Sequence, residues 1–262
     1  LTPAESSPVT VSPSQQACVL SDFGDANGNP ISQLSYSSIS YGGTHINRSD
    51  GTSVFAPFKY NEKTNGGTDT IKDWGCKLIS SVMIVNYNAA KQGLTFRTDP
   101  VLLNEWLQRH NGYYSGVVFN IQNDPYVMTA FVDLSRVAKY ATENNVSIDY
   151  KGADIKGDQA HKGESVADFV TRTRQSVNNA LCNLNPVVLG VRDNGHFVDA
   201  TGKAQVNNSE TWRLHDPLKT TPSLLSGTYN NAYSRVDYFD GLRMRRGLSI
   251  AVHSPIEIVL TD

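Results

Sequence analysis

The sequence predicts an α+β domain in which helices come first and antiparallel strands second. Three observations carry that expectation. Apolar residues between 76 and 183 recur mainly at helical spacing, those after 186 alternate as in strands, and no repeat or internal linker divides the chain beyond residue 18.

The elements follow in order. Residues 1–17 are rich in Ser, Pro and Thr and read as a flexible linker or leader remnant. Residues 18–60 carry Gly24, Asn27-Gly28, Asn29-Pro30 and Gly42-Gly43 between short alternating pieces, so they are expected to form turns and short strands, an extension packed on the body at 61–262. Asp25, Asn27 and Asn29 alternate like the start of a calcium loop, but no Glu closes it and a plain turn is expected. The clearest helix runs from Asp73 as cap through Cys76 to Gly93, with Leu78, Ile79, Val82, Met83, Tyr87 and Ala90 at helical spacing. A second begins at Asp99-Pro100 and ends near Gly112, with Trp106 expected in the core. A third is expected from Met128 to Asn144 with Phe131 and Leu134 on its apolar face, then a short strand through Val146, Ile148 and Tyr150, a loop over 151–164, and a fourth helix from Ser165 to Asn183. Strands are expected at Pro186–Arg192, His196–Thr201, Thr211–His215, Leu248–Val252 and Ile256–Leu260.

Composition narrows the function. The chain has 262 residues, 39% of them apolar and 18% charged, enough for one sizeable core. A net charge of −2 without a dense Lys/Arg run argues against nucleic-acid binding, and no stretch reaches the roughly 18 apolar residues of a membrane span. Three cysteines, Cys18, Cys76 and Cys182, make an odd number, which in an oxidising compartment suggests one disulfide and one free thiol. Cys18 and Cys182 are the natural pair. The chain is expected to be the mature part of a secreted protein, its signal peptide outside the numbering, acting as a monomer without metal or cofactor.

The chemistry gathers at three places. Cys76 stands in the first turn of an apolar helix, where N–H groups and the helix dipole favour thiolate over thiol. Gly195-His196-Phe197-Val198 begins a strand straight after an Asn-Gly turn, which places His196 at a strand end where it can take the thiol proton. In Trp212-Arg213-Leu214-His215-Asp216-Pro217 the period-2 alternation puts Asp216 on the face of Trp212 and Leu214, where its carboxylate can orient His196. His215 points the other way, and Asp199 alternates onto the face opposite His196, so neither is given a role.

These residues, with Gly75-Cys76-Lys77-Leu78-Ile79-Ser80-Ser81, Met83-Ile84-Val85-Asn86-Tyr87, Asp99-Pro100, Leu103 to Leu107 and Asn111-Gly112-Tyr113, make the chain resemble the bacterial peptidases similar to the bacteriocin-processing, double-glycine leader peptidases. Those are family thirty-nine of the papain-like cysteine peptidases. The resemblance covers about residues 55–262. It implies a papain-like fold, a central nucleophile helix packed on a C-terminal antiparallel sheet, a Cys76-His196-Asp216 triad and hydrolysis of peptide or protein substrates through a thioester. Two positions depart from it. Lys77 stands where the family has Gly, and Thr70 where it has a Gln that donates to the oxyanion. Beside the Cys76 N–H, the second donor is expected from Thr70, Asn65 or another backbone N–H. Two alternatives keep the same residues: an acyltransferase of transglutaminase type, and a papain-like binding module without catalysis.

Overall fold

The computed structural model describes residues 18–60, 69–119 and 125–241. The expected leader at 1–17, Asn65 and the two expected terminal strands lie outside the described residues. Within them the chain combines helix and sheet in the α+β manner.

After a single 3-10 turn at Gln33–Ser35, β1 (Thr44–Asn47) and β2 (Ser53–Ala56) form an antiparallel hairpin. Three helices follow: α1 (Ile71–Trp74), α2 (Cys76–Lys91) and α3 (Pro100–Arg109). Four short strands come next, β3 (Tyr113–Tyr114), β4 (Val117–Phe119), β5 (Pro125–Val127) and β6 (Phe131–Val132), pairing β3 with β6 and β4 with β5. Beyond them lie α4 (Leu134–Glu143), β7 (Asp149–Ile155), α5 (Val166–Cys182), β8 (Val187–Val191), β9 (His196–Val206), β10 (Ser209–His215), β11 (Ser223–Leu224), α6 (Leu225–Tyr229) and β12 (Arg235–Asp240). The last six strands make one sheet in the order β11-β10-β9-β8-β12-β7, antiparallel throughout.

Helix α2 is buried at every position from Lys77 to Ala89. A helix covered on all sides needs apolar residues around its whole circumference, and its polar members must find partners inside. Ser81 Oγ donates to the Lys77 carbonyl at 2.8 Å, Asn88 Nδ2 to the Ile84 carbonyl at 2.9 Å, and Asn86 Nδ2 to the Thr98 carbonyl at 2.9 Å. Each fully buried Leu, Ile or Val contributes about 1.5–3 kcal/mol of apolar transfer, so the helix is anchored along its length.

Several boundaries differ from the expected ones. The helix expected from Asp73 is two helices broken at Gly75, where a Cβ would lie 2.4 Å from the Ile71 carbonyl oxygen. Asp73 therefore does not cap the Cys76 helix; its carboxylate accepts from the Thr70 N–H at 3.3 Å and hydroxyl at 2.6 Å. The third helix begins at Leu134, capped by Asp133, and not at Met128, because 125–127 and 131–132 pair as strands. Phe131 is consequently on a strand and 55% exposed. Trp106 sits at the margin of the core, half-buried, stacked on His110 at 4.1 Å and donating to Glu143. Residues 151–155 of the expected loop continue β7, because β12, which period alone did not reveal, lies alongside to complete the ladder. Asp25 makes a plain turn, its carboxylate accepting from the Asn27 and Asn29 N–H groups at 2.8 Å each.

The arm from residue 18 lies along β9. Leu20 N–H donates to the Thr201 carbonyl at 2.8 Å and Lys203 N–H to that of Cys18 at 3.2 Å. Phe23, 1% exposed, packs on Tyr87 of α2 and on His215. A disulfide joins Cys18 to Cys182 at the end of α5, across 164 residues. Closing so long a loop restricts the unfolded chain strongly, so the Cys18→Ser/Cys182→Ser double variant should lose about 3–5 kcal/mol in urea unfolding; an unchanged midpoint would mean that the arm is held by its other contacts alone.

Candidate active site

Cys76 opens helix α2 directly after Gly75, whose lack of a Cβ permits the tight turn out of the short α1. Cys76 is the free cysteine among the described residues and is partly exposed. The turn between β8 and β9 delivers His196. Arg192, Asp193 and Asn194 all have positive φ, at 51°, 53° and 67°, a left-handed run that Asn and Asp tolerate better than most residues. The Gly195 N–H closes this turn on the Arg192 carbonyl at 3.0 Å, and Asn194 Oδ1 accepts from Ser234 Oγ at 3.1 Å. His196 thus begins β9 with its ring beside the turn, opposite Val191 in the ladder.

The antiparallel pairing of β9 with β10 then places Asp216, just past the end of β10, against that ring. The pairing carries an irregularity between Arg213 and Leu214. His196 Nε2 and Asp216 Oδ1 are 2.7 Å apart, with the two side chains 5% and 1% exposed. Asp216 is held from three further directions by groups that the sequence reading did not find. Tyr229 of α6 donates its hydroxyl to Oδ2 at 2.7 Å, the Leu218 N–H donates to Oδ1 at 2.9 Å, and the Lys219 N–H donates to the Asp216 carbonyl at 2.8 Å. Tyr229 lies 13 residues downstream on a five-residue helix with no periodic signal, so only the tertiary fold reveals it.

The electrostatics follow from these contacts. Burial is the largest influence on His196 and pulls its pKa down, but the hydrogen bond to Asp216 and the interaction with Cys76 outweigh it and hold the imidazole at about 9. Burial likewise raises the Asp216 carboxyl, and the His196, Leu218 and Tyr229 donors bring it below its ordinary value. With Nε2 committed to Asp216, Nδ1 is the nitrogen left to exchange a proton with Cys76.

A cleft of about 710 Å³ runs past these groups. Its walls include Cys76, Lys77, Trp74 and Asp73 from the helical side, Thr129 to Phe131 from the small strands, Arg192 and Asn194 to Phe197 from the sheet, and Gln33 from the arm. Gln33 is 3% exposed and pinned between the two halves: its backbone N–H donates to the Pro217 carbonyl at 2.9 Å and its Nε2 to the Lys72 carbonyl at 2.7 Å. Its Oε1 is buried without a hydrogen-bond partner among the described residues. Thr70, the position expected to donate to an oxyanion, instead gives its hydroxyl to Asp73 and does not line the cleft. Asn65 lies outside the described residues. No signal at fixed spacing could have found Gln33, which lies in the arm far upstream of the nucleophile.

The two residues given no role lie behind the site. Asp199 and His215 are opposite one another in the β9–β10 ladder. Asp199 is fully buried; burial pushes its carboxyl well above the ordinary range, Ser80 of α2 offsets part of that rise, and the charge of Asp216 adds to it. His215 is held down at about 4 by burial. No group of three or more His, Cys, Asp or Glu side chains among the described residues is arranged to hold a metal. Nor is any helix there long and apolar enough to cross a membrane.

The raised carboxyl has a defined consequence. An unfolded Asp titrates near 3.9, so between that pH and the higher folded value the native state keeps a proton that the unfolded state has lost, and stability falls as pH rises. Asp199→Asn should flatten this decline in urea unfolding between pH 4 and 8, so that its stability relative to the wild type rises with pH; a variant whose stability runs parallel to the wild type at every pH would show that the carboxyl titrates as in the unfolded chain.

The chain matches no protein-family model and no curated protein.

Proposed function

We propose that this protein is a secreted cysteine peptidase of papain-like architecture, hydrolysing peptide bonds through a thioester on Cys76. The observation that carries the reading is the 2.7 Å contact of His196 Nε2 with the buried Asp216, in the wall of a cleft that also holds Cys76 at a helix start. Asp216 keeps Nε2 protonated and turns Nδ1 toward the thiol. The thiolate attacks the peptide carbonyl, and the oxyanion that forms accepts hydrogen bonds from the Cys76 backbone N–H and from the Gln33 amide. The His196 imidazolium gives its proton to the leaving amine as the tetrahedral species collapses to the thioester. Water, deprotonated by His196, then attacks the thioester and releases the acid and the thiol.

The order Cys76, His196, Asp216 supports a kinship with the double-glycine leader peptidases, and Gln33, which lines the same cleft as Cys76, offers an amide for the role of their upstream Gln. The disulfide between Cys18 and Cys182 favours an oxidising compartment and hence secretion. The free thiol at the cleft favours catalysis over a purely structural cysteine.

Three outcomes are expected. A thiol-directed alkylating agent should label native Cys76 rapidly at pH 6–7, and His196→Ala should slow that labelling; a Cys76 unreactive until denaturation would abandon catalysis in favour of the binding module. Because the imidazolium is the acid for the leaving amine and its pKa is raised to about 9, peptidase activity should persist through neutral pH and decline on the alkaline side near 9, as a rate profile on a quenched peptide will report. Gln33→Ala should lower kcat by about 100- to 1000-fold with little change in KM, as loss of one oxyanion donor does; a reduction below threefold would place the second donor elsewhere.

A further inference from the structure

Lys77, directly after the nucleophile, is a side chain that the proposed chemistry leaves unused. It is 5% exposed and lines the cleft. Its ammonium lies 5.0 Å from the centroid of the Phe197 ring, and no hydrogen bond or ion pair to it is present among the described residues. The carboxylates around it are otherwise engaged. Both oxygens of Asp237 accept from Arg235, at 2.8 Å each, and one of them also from the Tyr150 hydroxyl at 2.7 Å. Asp133 Oδ1 caps α4, accepting from the Ser135 N–H at 2.9 Å and hydroxyl at 2.7 Å. The Lys77 side chain is buried along its length while its ammonium, beside the Phe197 ring and within the influence of Cys76, is open to the cleft it lines, so its three donors are available to whatever occupies that cleft.

We propose that Lys77 is the specificity determinant of the cleft and takes a carboxylate of the bound chain, so that the preferred substrates are peptides with Asp or Glu beside the scissile bond. This rests on the peptidase reading above. Phe197 and the exposed Phe131 line the same cleft as Lys77 and can pack on the methylene part of such a side chain. Arg192, exposed and lying over the Tyr229 ring at 5.6 Å, adds positive charge at the rim. Burial lowers the Lys77 ammonium to about 8, which keeps it mostly charged at pH 7. The neutral residue that the resembled family carries here would offer no such partner, so preference for acidic rather than small residues is a property of this chain's own cleft.

Two readouts at pH 7 test it. The first needs no turnover: Cys76 of the native protein is modified with the anionic sulfonatoethyl and the cationic trimethylammonioethyl methanethiosulfonates, in which the thiolate forms a disulfide and methanesulfinate leaves. The ratio of the anionic to the cationic rate should fall at least about tenfold in Lys77→Met, the low end of one charge-assisted hydrogen bond, and recover in Lys77→Arg. The second compares quenched peptides carrying Glu or Gln on either side of the scissile bond, with kcat/KM for the Glu peptides expected about tenfold higher in the wild type and equal in Lys77→Met. A reactive Cys76 whose rate ratio is unmoved by Lys77→Met overturns the carboxylate subsite and leaves the peptidase reading standing. A Cys76 inert to both reagents overturns the two together.

Discussion

The packing of helix α2 against strand β9 is the constraint on which the site depends. One runs from Cys76 and the other from His196, so the ends that carry the two reactive groups are brought together by the contact that forms the core. Because α2 is buried from Lys77 to Ala89, it cannot slide or rotate without moving fully enclosed side chains such as Leu78, Ile79, Met83 and Ile84. The position of the thiol is therefore as rigid as the core itself.

Around that contact the polar groups are ordered by how well each is satisfied. Asp216 gathers donors from His196, Leu218 and Tyr229 and is kept ionised. Asp199, on the neighbouring strand and equally buried, has no hydrogen-bond partner at either carboxyl oxygen among the described residues and is pushed toward its neutral form. Two carboxyls in one part of the sheet are thus driven in opposite directions by the number of donors each receives, and the charge of one reinforces the neutrality of the other. This leaves Asp216 as the ionised carboxyl beside the imidazole, and together with Cys76 it stabilises His196 as a cation.

The N-terminal arm completes the arrangement from outside the main fold. Its course is set by the disulfide at Cys18, by Phe23 packed on Tyr87 and His215, and by the hydrogen bonds of Gln33 to Pro217 and Lys72. Pro217 follows Asp216 and Lys72 lies four residues before Cys76, so Gln33 bridges the segments that carry those two side chains. The arm that the composition marks as an extension is in this way part of the cleft wall.

Much of this was legible in the residues themselves. Local pattern marks α2, α3, α5, β8, β9 and β10, since helical and strand periodicities, the Asp99-Pro100 helix start and the Asn-Gly turn before His196 depend only on neighbours in sequence. Period-2 alternation also carries Asp216 onto the face where it meets His196, and Asp199 onto the other. Long-range partners were beyond reach. The strand β12 and the continuation of β7 exist because each completes the other's ladder, and the break at Gly75 follows from contact with Ile71. Tyr229 and Gln33 join the site by folding alone, as does the Phe197 ring that lies beside the Lys77 ammonium. Periodicity, turn residues and strand alternation act between neighbours, so local pattern places Cys76, His196 and Asp216 on their elements; the distant donors around them come from the packing of segments that share no local pattern and are visible in the fold alone.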